Sequence, residues 1–343
     1  VRRAKYDLDE GEITPYLQLE KLREGMFFTA ERLCGLQFRP VAPGAVPVYH
    51  ADVRVWEVAD AQGRLVGLFY FDPFARAGKR SGAWMSAYRS QERFDGEVPT
   101  LISNNSNFTK PAPGEPALLS WDDATTLFHE FGHALHGLCS RAAYPSLAGT
   151  AVPRDYVEFP SQLLEHWLST PEILDRFAVH HETGRPMPRE LVAKIARAKR
   201  FNAGFRTVEF LASALVDMRA HLAPQPPADP AAFERETLAT LGMPREIVMR
   251  HRTPHFLHVF GDDGYSAAYY SYLWADTITA DAWEAFTTAG GPWDPAVAAR
   301  LVEHVLARGN TIPPEEGYRG FRGRDPSIDA LMRDRGFSPP PAP

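Results

Sequence analysis

His129-Glu130-Phe-Gly-His133 is the stretch whose residue types and spacing could do chemistry. On a helix, histidines four residues apart project from one face, close enough for their imidazoles to hold one Zn²⁺ ion. Glu130 lies beside that pair, where a carboxylate can take a proton from a water activated by the metal. His136 returns to nearly the same face, but at roughly 1.5 Å per residue it lies about 10 Å along the axis from His129. That is too far for both to bind one ion, so His136 reads as a structural residue or as support for a ligand. The plain alternative is an amphipathic helix that carries histidines on its wet side.

The spacing has meaning only if the segment is helical, and its neighbours say that it is. Ser120 followed by Asp123 forms a capping-box-like start, and Asp122 and Asp123 place negative charge where the helix dipole favours it. Leu127, Phe128, Phe131, Leu135 and Leu138 recur at helical spacing and form an apolar stripe. Gly132 lowers helix propensity in mid-helix, and close packing or room for the ion would account for it.

A third ligand is expected downstream, in Asp155-Tyr-Val-Glu158-Phe-Pro-Ser-Gln-Leu-Leu-Glu165. Glu158 and Glu165 share one face of an apparent second helix. One carboxylate would bind the metal while the other orients a ligand histidine; the plain reading of Glu165 is a solvent-facing charge. Pro160 removes one backbone donor and predicts a kink near Glu158. A further chemical stretch runs from His258 through Gly261-Asp-Asp-Gly264 to Tyr265-Ser-Ala-Ala-Tyr269-Tyr270-Ser-Tyr272. Read as a loop followed by a helix, it puts Tyr265, Tyr269 and Tyr272 on one face. Phenols stay protonated at neutral pH and can donate to an oxyanion or a peptide carbonyl; the alternative is an aromatic core stripe. The glycines would let the loop move over substrate.

The elements that must position these residues are mostly helical. Pro15 to Cys34 reads as one helix, followed by a Pro/Gly-rich passage from Arg39 to Pro47. Val53–Val58 and Leu65–Phe71 alternate as strands around the turn Ala59-Asp-Ala-Gln-Gly63, which predicts a hairpin. Thr100 to Thr109 reads as a further strand, and as an edge strand it could bind an extended peptide by strand addition. Helical periods follow over Arg189–Arg200, Phe205–Leu222, Ala231–Leu241 and Pro244–His251. With 343 residues, 44% hydrophobic and 23% charged, the composition is that of an ordinary globular protein with a large core. A net charge of −6 gives no support for nucleic-acid binding, and no apolar run is long enough to span a bilayer. Cys34 and Cys139 alone imply no disulfide framework and suit a reducing compartment.

Together, His129-Glu130-Phe-Gly-His133-Ala-Leu-His-Gly, Pro153-Arg-Asp-Tyr-Val-Glu158-Phe-Pro-Ser-Gln and Gly264-Tyr265-Ser-Ala-Ala-Tyr269-Tyr270-Ser-Tyr272-Leu-Trp274 resemble the thimet oligopeptidase family of zinc peptidases, nearest to its bacterial peptidyl-dipeptidases. The closing Phe321-Arg-Gly-Arg-Asp-Pro-Ser-Ile-Asp-Ala-Leu-Met resembles the end of such proteins. The resemblance implies a mainly α, zincin-like catalytic half over about 1–338. It places a small β-region at about 48–109, metal helices at about 120–168 and a proline-rich tail at 339–343. It implies His129, His133 and Glu158 as ligands of one Zn²⁺, Glu130 as catalytic base, and Glu165 in support of a ligand. His258 and Tyr265 would stabilise the reacting carbonyl, and Tyr269 and Tyr272 would contact substrate. The implied function is hydrolysis of short peptides in the cytoplasm, releasing C-terminal dipeptides. Internal cleavage, or zinc and peptide binding without turnover, are the alternatives. Family members are longer, so a further N-terminal half is expected to complete the substrate channel.

Overall fold

The chain builds one small sheet and packs most of its helices against or beyond it, as seen in a computed structural model that describes residues 5 and 8–337. The proline-rich tail at 339–343 lies outside the described residues. Helix α1 spans Leu19–Cys34 and is closed by Gly35 in the left-handed conformation, φ 69°. The expected helix from Pro15 does not run unbroken: Thr14–Tyr16 is a single 3₁₀ turn, and Gln18 is extended before α1 begins.

Strands β1 (Gln37–Pro40), β2 (Arg54–Ala59), β3 (Leu65–Phe74), β4 (Trp84–Arg89) and β5 (Thr100–Phe108) form the sheet in the order β1-β2-β3-β5-β4. The expected hairpin is β2–β3. Its turn is fixed by Asp60, whose Oδ1 accepts the backbone N–H groups of Gln62 and Arg64, both at 2.9 Å, with Gly63 at φ 76°. β1 enters the passage read as a helix break, because Phe38 stacks on Phe27 of α1 at 4.2 Å and packs edge-on to Phe69. The expectation of an edge strand at 100–109 is overturned. β5 lies between β3, which it pairs in parallel, and β4, which it pairs antiparallel, so the edges are β1 and β4.

Helix α2 (Trp121–Leu138) starts with the full capping box: the Ser120 hydroxyl accepts from Asp123 N–H at 3.0 Å, and Asp123 accepts from Ser120 N–H at 3.2 Å. Phe131 of α2 meets Phe27, Phe38 and Phe69, so α1, the sheet and α2 share one aromatic core. Helix α3 (Arg154–Leu168) runs as one helix through Pro160 and packs on α2. Gly132 makes that packing possible: a Cβ there would lie 2.5 Å from Ser161 Cα and 2.8 Å from the Pro160 carbonyl oxygen.

Beyond α3 come α4 (Pro171–Phe177), α5 (Arg189–Ala198), α6 (Ala203–Leu222) and α7 (Pro230–Thr240). The helix expected over Pro244–His251 is a series of turns; its apolar member Met249 instead fills a small core with Ala212, Val216, Leu238, Phe256 and Val259. Helix α8 (Ser271–Thr287) packs along α3, and α9 (Pro295–Leu301), α10 (Pro314–Arg322) and α11 (Asp329–Arg335) close the chain. Asp281 of α8 is fully buried. It accepts from Tyr318 Oη at 2.5 Å, Arg324 Nη2 at 2.5 Å and Arg322 Nε at 3.2 Å, which gives the closing Phe321-Arg-Gly-Arg stretch a structural task. No helix among the described residues is long and apolar enough to cross a membrane.

Candidate metal centre

Helices α2 and α3 bring His129, His133 and Glu158 to one point. Glu158 Oε2 lies 3.2 Å from His129 Nε2 and 3.1 Å from His133 Nε2, and the three ligand atoms fall within 4.8 Å of one another. A tetrahedral ion with bonds of about 2.1 Å spaces its ligands by about 3.4 Å, so the cluster has the dimensions such an ion needs. The electrostatics agree. Burial disfavours the charged form of His129, yet hydrogen bonds to Glu158 and Glu165 hold its pKa well above the usual histidine range. Burial likewise opposes ionisation of Glu158, and its bonds to the two imidazoles carry its pKa well below the usual carboxylate range. Positive charge is favoured at this point, and the two-imidazole, one-carboxylate donor set suits a zinc-type ion.

The surrounding groups sort the two carboxylates of α3. Glu165 Oε1 lies 2.7 Å from His129 Nδ1, so it holds the far side of the ring while Glu158 meets Nε2 of both rings. Ser161 donates its hydroxyl to Glu158 Oε2 at 3.1 Å and to the Glu158 carbonyl at 2.9 Å. His136 stands apart from this cluster: it is fully buried, neither ring nitrogen has a hydrogen-bond partner, and burial pushes its pKa down to about 3. Glu130 is 6% exposed, and its Oε2 is buried without a partner. Burial raises its pKa, against the opposing pull of His129 and His133. Its backbone carbonyl accepts from Asn104 Nδ2 at 2.7 Å, which ties the start of the motif to β5.

The tyrosines gather at the centre, but not on one helix. Gly264–Tyr270 is a run of turns, and α8 begins only at Ser271. Of the three, Tyr272 alone stands on α8; Tyr265 stacks parallel to it at 5.7 Å, and Tyr269 packs edge-on to it at 5.6 Å. Tyr265 donates to Glu158 Oε1 at 2.8 Å, and burial first, then the nearby Glu158 charge, pushes its pKa up to about 12. The Arg154 guanidinium lies 4.5 Å over the Tyr265 ring. His258, from the short helix Leu257–Phe260, has its Nε2 3.2 Å from Tyr272 Oη and its ring 4.4 Å from that of Tyr265. Tyr269 also leans away from the centre, stacked on Phe210 of α6 at 4.9 Å.

Asp217 and His221 of α6, which hold the tyrosine turn through Ala267, Tyr269 and Ser266, were not legible in this role. The i, i+4 spacing of Asp217 and His221 was visible, but nothing in it says which loop they face.

The model of peptidase family M3 matches residues 1–337. Dipeptidyl carboxypeptidase of Escherichia coli K12 is 44% identical over 342 residues, covering 98% of this chain and 50% of that protein. Oligopeptidase A of the same bacterium is 37% identical over 339 residues, 97% of this chain and 49% of its own length. A thimet-like oligopeptidase of Dictyostelium discoideum is 31% identical over 345 residues, 97% of this chain and 50% of that protein. The chain thus spans about half the length of the curated relatives it matches. A solved Pyrococcus furiosus carboxypeptidase superposes with a TM-score of 0.53 at 14% identity, over 96% of this chain and 60% of that one, a likeness of fold alone.

Proposed function

This chain belongs to peptidase family M3, and from that premise we propose that it is the catalytic part of a zinc-dependent peptidase that releases dipeptides from the C-terminus of short peptides. The observation that carries the reading is the convergence of His129, His133 and Glu158 with Glu130, whose Oε2 is buried without a partner, beside them. His129, His133 and Glu158 would hold the ion, and the chemistry it supplies when bound is Lewis acidity toward a water and a peptide carbonyl.

The chain's own residues do the rest. Glu165 accepts the Nδ1 proton of His129 and so leaves the Nε2 lone pair directed at the centre. Glu130 takes the proton of the attacking water and returns it to the leaving amine; its raised pKa moves it toward the range where both transfers are feasible near neutral pH. Tyr265 keeps its phenolic proton at any physiological pH, and with His258 it donates to the carbonyl oxygen as negative charge develops there. Tyr272 contacts the peptide from α8, and Tyr269, packed edge-on to Tyr272 and stacked on Phe210, meets it farther from the centre.

Similarity to dipeptidyl carboxypeptidase supports release of dipeptides, and the lower identity to oligopeptidase A keeps internal cleavage as the second reading. A reducing, cytoplasmic setting suits Cys34 and Cys139, which are free thiols. The test is product mapping by mass spectrometry on an N-acetylated peptide with a free C-terminus beside its C-terminally amidated twin, with the zinc-loaded chain. Stepwise dipeptide release from the free form, with little from the amidated one, is the expected result. Equal internal cleavage of both would overturn the dipeptidase reading in favour of the oligopeptidase one.

A further inference from the structure

The turn that carries Tyr265 and Tyr269 has little regular structure of its own to hold it. It precedes α8, and it contains Ala267 at φ 56°, a left-handed conformation that strains a non-glycine residue. Its own backbone bonds include those from Ala268 N–H to the Tyr265 carbonyl and from Ser271 N–H to the Ala268 carbonyl, both at 3.0 Å. What holds it is a carboxylate from another helix. Asp217 of α6 is 1% exposed, and its Oδ1 accepts the Ala267 N–H at 3.0 Å while its Oδ2 accepts the Tyr269 N–H at 2.9 Å. One turn further along α6, His221 Nδ1 lies 2.8 Å from Asp217 Oδ1, and its Nε2 lies 2.7 Å from the Ser266 hydroxyl. A carboxylate only accepts, so Nδ1 carries the proton; in the neutral ring Nε2 then accepts from Ser266. Three residues of the turn, Ser266, Ala267 and Tyr269, are therefore tied to one Asp–His pair.

We infer that Asp217, braced by His221, is a positioning residue that sets Tyr265 over the metal centre by fixing the backbone of the Gly264–Tyr270 turn. The bonds of Asp217 run to the turn and to His221, and it acts through Tyr265, whose hydroxyl reaches Glu158 Oε1 from this turn. The inference rests on the peptidase reading for its kinetic consequence, but the anchoring itself does not depend on it.

The experiment measures kcat and KM on one peptide for the zinc-loaded wild type, Asp217→Asn, Tyr265→Phe and the double variant, with amide hydrogen exchange on the same four proteins. Asp217→Asn is expected to lower kcat by about tenfold or more while KM stays within about twofold, since a misplaced donor costs chiefly the transition state. In the Tyr265→Phe background the same substitution should cost almost nothing further, because its effect runs through the phenol. The amides of Ala267 and Tyr269 should exchange much faster in Asp217→Asn, with α2 and α3 as protected as before. An equal loss in both backgrounds, or unchanged exchange at both amides, would overturn the inference. Should the wild type hydrolyse no peptide, the peptidase reading falls and the exchange result alone decides the anchoring. If Asp217→Asn does not fold, His221→Asn replaces it, with a smaller kcat loss that again vanishes in Tyr265→Phe.

Discussion

His136 shows what burial does to a titratable residue that stands outside the candidate ligand cluster. It stands three positions after a candidate ligand, yet it is fully buried, with neither nitrogen partnered, and its pKa is driven down to about 3. The unfolded chain protonates this ring near its ordinary value of about 6.5, whereas the folded chain does not until far lower. Above that value His136 makes no pH-dependent contribution; as pH falls below it the unfolded state gains a proton the folded state refuses, and stability drops. At pH 5 the loss from this one group is of order 2 kcal/mol. Denaturant unfolding at pH 7 and pH 5 should therefore show a fall in stability that His136→Leu reduces by about that amount. An identical pH dependence in the variant would contradict it. Helix rise alone set His136 apart from His129 and His133, whereas its complete burial had no local signal.

At the scale of elements, the site is a matter of how closely two helices approach. Gly132 faces Ser161 and the Pro160 carbonyl, and the distances leave no space for a methyl group. Both neighbours are backbone, which cannot give way as a side chain can. Gly132→Ala should destabilise the chain by about 3 kcal/mol, at the upper end of overpacking costs, and push Glu158 away from the histidines. Thermal unfolding together with zinc affinity checks this; a variant with both unchanged would show that α2 and α3 can separate without harm. Helices α2 and α3 were legible because their signals are local: the Ser120 capping box, the stripe through Leu127 and Phe131, and carboxylates at helical spacing. The tyrosine segment misled for the same reason. Its i, i+4, i+7 spacing imitates a helix face, but Asp217, some fifty residues earlier, captures the turn and delays the helix until Ser271. Strand β5 was legible as a strand but not in its place, since the partner that covers its free edge, β4, lies across a loop with no alternation to mark it.

For the molecule as a whole, one sheet and a shared aromatic core fix α2, and α3 and α8 then stack outward from it, so that His129, His133, Glu158 and the tyrosines meet from separate stretches of chain. Membership of peptidase family M3 accounts for why motifs so far apart in sequence belong to one centre. The chain spans about half of its curated relatives, so what this half does by itself is a question for measurement. The most direct one determines zinc stoichiometry and peptide hydrolysis together, on the wild type, Glu130→Gln and Glu158→Ala. The expected result is one ion per chain in the wild type and in Glu130→Gln, hydrolysis in the wild type alone, and loss of the ion in Glu158→Ala. A wild type that binds no zinc, or a Glu130→Gln variant that still cleaves peptide at the wild-type rate, would contradict the account.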